Sequence, residues 1–215
     1  MHKQLSIAFG LMMALMSALC SNATGLVARP SYGVVVDSRA DVSATTVKWG
    51  LQAVSDTGQR VFGKAALDPP KNGRAAGSVS SYGGAGVPEW VRVTWRTPIE
   101  GERIATNGTK IKTLDFGDVI GDHKIEVASR IPAATLKHAS EGRGRALRLI
   151  FRVKDDGVAM AWNVEETVRS PSGGAGRWYS LHDGDFACDP DRSVRCTAGR
   201  AEDAPWFDPK VIRGE

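Results

Sequence analysis

The segment His182-Asp-Gly-Asp-Phe-Ala-Cys-Asp-Pro-Asp191 gathers more chemistry-bearing side chains than any other stretch of the chain. Asp183, Asp185, Asp189 and Asp191 offer hard carboxylate oxygens, the donors that Ca2+ collects in sets of about six or more. No Glu closes an EF-hand loop around them, so three readings stay open: a solvated turn, a calcium site, or catalytic carboxylates. Cys188 and Cys196 follow, with Pro190 and the aspartates supplying a bend between them. In an oxidising compartment such a pair is read as one disulfide closing a small loop. Two buried free thiols are the alternative. The spacing is not the CxxC of a zinc site, and only His182 is near.

Other chemistry is sparse. The chain has no GxSxG elbow, HExxH, P-loop or GxGxxG. Past the N-terminal segment the histidines are His123, His138 and His182, and none is paired at helical spacing. A serine nucleophile needs a base and a group that orients it, and no serine here sits in a strand-turn-helix context. The sequence therefore predicts a protein that is not an enzyme, with no cofactor and no metal centre. Lys and Arg number 28 against 24 Asp and Glu, net +4, without a dense basic run. That excludes a nucleic-acid footprint. Six tryptophans stand out. Alternation puts Trp49, Trp95 and Trp162 inward. Trp178-Tyr179 and Trp206-Phe207 lie in loop-like surroundings, where aromatics either pack under a loop or serve as interface anchors, and Arg177–Leu181 also reads as a last short strand.

The elements that must position these groups read mostly as strands. Apolar residues at 42% and charged residues at 24% describe a globular chain, and 24 glycines favour a turn-rich β protein over a bundle. Tyr32–Asp37 is a β-branched run. Val47–Ala53 alternates. Pro88–Thr97 sets Val91, Val93 and Trp95 against Arg92, Thr94 and Arg96. Ile99–Gly121 reads as polar, with short strands at most around Ile111–Phe116. His123–Val127 reads as a strand, and Ile131–Ala139 as a short helix led by Pro132. The clearest element is a hairpin. Leu147, Leu149, Phe151 and Val153 oppose Arg148, Arg152 and Lys154, Asp155-Asp156-Gly157 turns with Gly157 free for positive φ, and Val158, Met160, Trp162 and Val164 return. The fold expected is mainly β, an antiparallel sandwich-like domain with one short helix. Residues 24–215 form one domain, or two β subdomains at about 31–121 and 122–182, with an irregular tail from 183.

An address precedes the domain. Lys3 and the apolar run Leu5–Leu19 fit a secretory signal peptide cleaved after Ala23. Cys20 offers a rival, a lipid-modified N-terminus, although Leu19 is large for the residue before it. Either reading exports the protein to the periplasm, with a membrane contact only if Cys20 is lipidated.

The exported N-terminus, the stretch Gly83-Gly-Ala-Gly-Val-Pro-Glu-Trp-Val-Arg-Val-Thr-Trp-Arg96, the Pro-led helix and the closing hairpin with Trp162 together resemble bacterial lipoprotein families found beside type VI secretion lipase effectors. The resemblance spans roughly Tyr32–Glu166. It implies an immunity-type protein that binds and blocks a cognate toxin, a lipase-like effector. The alternatives are an envelope structural or assembly (lipo)protein and, third, a metal-assisted hydrolase using the Asp cluster. For a passive inhibitor the expected contact residues are Ser81 and Tyr82 in the Gly/Ser loop, and Trp178, Tyr179, His182 and Asp183 beyond the hairpin.

Overall fold

The computed structural model describes residues 32–72, 77–83, 86–142, 144–169, 175–188 and 195–204. The proposed signal peptide with Cys20, the aspartates Asp189 and Asp191, and Trp206 lie outside the described residues. The described residues form ten strands, one α-helix and two 3-10 turns: β1 (Gly33–Ala40), β2 (Lys48–Ser55), β3 (Arg60–Leu67), β4 (Gly77–Tyr82), β5 (Trp90–Ile104), β6 (Lys110–Glu126), α1 (Ala133–Ser140), β7 (Arg145–Val153), β8 (Val158–Arg169), β9 (Ala175–Gly184) and β10 (Arg195–Cys196). They build a mainly β, sandwich-like fold from two sheets. One has six strands in the order β10-β9-β8-β7-β1-β4, the other four in the order β3-β2-β5-β6.

The expected hairpin is β7–β8. Leu147, Leu149, Phe151, Val153, Met160 and Val164 are fully buried, because strict alternation sends one face of each strand into the sandwich. Fully burying such a side chain contributes roughly 1.5–3 kcal/mol. The facing sheet supplies Leu51, Ala53, Val91, Val93 and Trp95, and Phe62 meets Phe151 at 5.3 Å between ring centroids. The turn closes through the Lys154 amide on the Gly157 carbonyl, without the left-handed Gly157 that was expected. Asp155 does further work there. It accepts the amides and hydroxyls of Thr45 and Thr46 and the Lys48 ammonium at 2.5 Å, tying the β1–β2 connection to the hairpin tip.

Three features depart from the sequence reading. First, β1 sits inside the six-stranded sheet, antiparallel to β4 but parallel to β7, with Val36 opposite Leu149 and Asp37 opposite Ile150. Strands from both halves of the chain thus share one sheet. Second, 99–121 is not a polar loop. β5 and β6 run on as a two-stranded ribbon, paired from Trp90↔Glu126 out to Ile104↔Lys110. Its tip closes at Gly108 (φ +84°), where the Ala105 amide donates to the Thr109 carbonyl. Third, the tail past 183 is not wholly irregular: β10 pairs parallel with β9, Arg195 opposite Trp178. Trp49 is only half-buried, because Gly50 (φ +54°) breaks the alternation and the register slips between Trp49 and Gln52. The helix matches expectation within two residues, with Pro132 at its N-cap.

Candidate functional site

The outer face of the six-stranded sheet carries the densest polar constellation. Pairing brings Val35, Asp37 and Arg39 of β1 beside Arg148, Ile150 and Arg152 of β7, with Asn163 of β8 opposite Arg148. An exposed sheet face would leave these arginines in water. Here Phe186, Ala187, Cys188 and Cys196 fold back beside them and border a half-open cavity of about 230 Å3 that Tyr179 and His182 also line. The cover is held by the Cys188–Cys196 disulfide, Cα–Cα 6.1 Å, so the sequence reading of that pair holds.

Each guanidinium in the cavity is held by a second group. Asp37 Oδ2 accepts from both Arg39 and Arg148. Arg148 lies over the Tyr179 ring at 4.6 Å, and Arg152 over the Phe186 ring at 3.8 Å. Such stacking and forking fix guanidinium planes. Arg39, Arg148 and Arg152 all line the cavity. Four atoms of this face are buried without a hydrogen-bond partner: Arg39 Nε, Arg148 Nε, Asp37 Oδ1 and Asn163 Oδ1.

His182 reaches this cavity through a bulge. Val164 pairs with Ser180 and Trp162 with Asp183, so β9 spends one more residue than β8 between the two pairs. Leu181 absorbs the difference at φ +53° and turns His182 to the outer face. There its Nε2–H donates to the Phe186 carbonyl at 2.8 Å, which leaves Nδ1 to accept from the Asn163 amide at 3.2 Å. Burial, with the positive charge of Arg152 and Arg148, pushes the imidazole pKa down and keeps the ring neutral, despite the opposing pull of the Phe186 carbonyl.

A second cluster sits on the inner face of β8. Glu166 accepts from His138 Nε2 at 3.1 Å and from the Ser180 hydroxyl at 2.9 Å, with Arg145 Nε at 3.4 Å. Ser, His and carboxylate meet here, but Ser180 and His138 both bond the Glu and not each other. No base stands on the serine, which is fully buried. The cluster pins α1 to the sheet. His138, Glu166 and Glu202 lie close enough for a metal, yet Arg145 already occupies the space between them as a counter-charge. His182 with Cys188 and Cys196 offers no thiolates, since both sulfurs are bonded to each other.

The expected contact residues are dispersed. Ser81, on edge strand β4, and Asp183, on β9, are exposed. Tyr82, Trp178, Tyr179 and His182 are buried: β4 is a strand where a Gly/Ser loop was expected, and β9 is the short strand read over Arg177–Leu181, extended to Ala175–Gly184. Of the Asp cluster, the two described members take different partners. Asp183 accepts from the Gly184 amide, while Asp185 accepts from the Met160 amide at 2.7 Å and from Arg130 at 2.6 Å. Partial burial works to raise the Asp185 pKa, but Arg130 and the amide hold it below the usual carboxylate range.

What sequence reasoning missed is the ribbon. Ile99, Ile104, Ile111, Leu114, Phe116, Val119 and Ile120 are between 36% and 72% exposed on β5–β6. β2 pairs with β5 only as far as Arg96, so beyond Pro98↔Phe116 the two strands hold only each other among the described residues. No helix of the described residues is long and apolar enough to cross a membrane. The chain matches no protein family, no curated protein and no solved structure.

Proposed function

We propose that the protein works by occupying a target and not by turning over a substrate: an exported, periplasmic binding protein of the immunity type, which occludes a lipase-like effector. One observation carries the reading, the free-standing β5–β6 ribbon. An isolated two-stranded ribbon is marginal in water, and exposed apolar strand edges invite unwanted pairing. A chain that extends one with Ile99, Ile104, Ile111, Leu114 and Phe116 at least a third exposed retains it for a contact. Glu100, Glu102, Arg103, Lys110 and Lys112 are interspersed irregularly among those apolar groups, which keeps the ribbon soluble and gives a partner mixed polar and apolar anchors. The N-terminal signal-like segment supports export, and the resemblance to immunity-type lipoproteins supports the partner class.

The test is co-expression with effectors encoded beside this chain. A shortened form joins Ile99 to Asp115 through Asn-Gly and removes the tip. The intact chain relieves the effector's toxicity; the shortened one folds but loses protection, with binding weaker by about 30-fold or more. Full protection by the shortened form removes the ribbon from the account. If the intact chain relieves no adjacent effector, the envelope structural or assembly reading replaces immunity.

A further inference from the structure

The two faces of the β5–β6 ribbon differ. Directly opposed residues of an antiparallel pair point to the same side, so the register sorts the ribbon into an outer and an inner face. The outer face bears Phe116, whose ring lies against Gly50 of β2, and it closes an ion pair of its own, Lys110 to Glu102 at 3.4 Å. The inner face bears three ladder steps: Ile99 opposite Asp115, Gly101 opposite Thr113, and Arg103 opposite Ile111. The extra residues at the base of the ribbon fall on β6, so β5 keeps its alternation. These steps therefore prolong the side on which Val91, Val93 and Trp95 meet the other sheet. Past the sandwich that side is bare: Ile99 is 50% and Ile111 36% exposed.

The charges of the inner face are unmatched within one chain. Arg103 and Asp115 are both exposed, and neither has an ion-pair or hydrogen-bond partner among the described residues. They stand two steps apart, about 14 Å at ~3.4 Å per residue, too far to meet. The pattern is nevertheless self-complementary. A two-fold rotation about Gly101↔Thr113 lays the step of Arg103 and Ile111 on the partner's Ile99 and the partner's Asp115, and the reciprocal step repeats this beyond the axis. Each step then joins one cation, one anion and two isoleucines. At the axis Gly101 has no side chain to hold the copies apart. The same rotation on the outer face, about Glu102↔Lys112, sets each of these charges on its own copy, and like charges oppose that contact.

We infer that the chain forms a two-fold dimer through the inner ribbon face, with Arg103 and Asp115 as its reciprocal ion pairs and Ile99 and Ile111 as its apolar contact. Three ladder steps bury less than the ~1,200 Å2 of a standard interface, so the dimer is of the weak, transient class, with Kd about 10–100 µM. It does not rest on the docking reading, because the outer face with Phe116 stays free for another partner.

Sedimentation velocity on the full chain, from about 1 to about 500 µM, brackets such a Kd. The wild-type chain shows a reversible monomer–dimer equilibrium. Arg103→Asp sets like charges together and raises Kd by about tenfold or more, and Asp115→Arg does the same. These two variants shift net charge in opposite directions, so a common loss reports the pair and not the overall charge. The double variant Arg103→Asp/Asp115→Arg restores Kd to within about threefold of wild type, a rescue that a loosened fold would not give. Both positions are exposed, so folding is not at stake. Glu100→Arg, on the outer face, leaves Kd unchanged. The proposal is overturned by a monomer at every concentration, a dimer indifferent to Arg103→Asp, no rescue in the double variant, or equal weakening by Glu100→Arg. A monomeric chain that still relieves an effector overturns the dimer and spares the docking reading; a dimer that relieves none does the reverse.

Discussion

The contact between Trp95 and Gly121 permits a test in which even the sign of the effect is diagnostic. The two residues are directly opposite in the β5–β6 ladder, at the base of the ribbon, and the indole lies flat across the glycine. A Cβ placed on Gly121 would fall 1.9 Å from Trp95 Cε2 and 2.3 Å from Cζ2. The ring cannot yield easily. It is buried, stacks on His123 at 5.0 Å, and has Lys48 Nζ 5.6 Å from its centre. Gly→Ala inside an element ordinarily stabilises by roughly 0.5–1 kcal/mol. At this position overpacking dominates, and Gly121→Ala destabilises by about 1–3 kcal/mol, or about 2–12 °C in melting midpoint. Tryptophan fluorescence should shift as the indole is forced from its site. The control is the cycle with Trp95→Ala: with the ring gone, Gly121→Ala becomes neutral or stabilising, so the coupling equals the clash. Urea melts of the four proteins read it. A neutral or stabilising Gly121→Ala in the wild-type background refutes the packing described here.

Other outcomes follow from the same geometry. Reducing Cys188–Cys196, or replacing both by Ser, lowers stability by about 2–3 kcal/mol on loop-entropy arithmetic, checked by melting with and without reductant. The Lys48 ammonium and the Thr45 and Thr46 donors hold the Asp155 carboxyl far below its ordinary range. A folded pKa below the unfolded value means that this stabilisation is complete above about pH 4 and is lost as pH falls through the folded pKa. Asp155→Asn is therefore less stable than wild type at pH 7, and the gap closes in increasingly acidic buffer; a gap independent of pH contradicts the clamp.

Legibility tracked burial on one face. The β7–β8 hairpin could be read because Leu147, Leu149, Phe151 and Val153 alternate with arginines, and the core consumes that periodicity directly. The same alternation misled about the other face. Arg148 and Arg152 looked solvated because what covers them, Phe186 to Cys188, lies more than thirty residues downstream in sequence, and no local pattern reports a distant lid. His182 was hidden by the bulge: one inserted residue flips everything after it, and Leu181 is not a residue type that announces a positive φ. The ribbon escaped because neither of its faces is buried, so it has no alternation to detect. One signal was present, Asn107-Gly108 between Ile104 and Ile111, the turn dipeptide of a tight hairpin. The buried positions of Tyr82, Trp178 and Tyr179 depended on strands β4 and β9, whose glycine-rich flanks read as loop.

The parallel pairing of β1 with β7 has a consequence for how the protein reaches its native state. Asp37 and Arg148 meet across a sequence separation of 111, so the next-to-edge strand of the larger sheet emerges first and waits longest for its neighbour. Until β7 arrives, β1 has only β4 along one side and offers its other rim to any passing chain. Assembly is therefore slow for a protein of this size, governed by one late, entropically costly closure. During that interval Gly33–Ala40 is the segment on which a holdase would find its binding site.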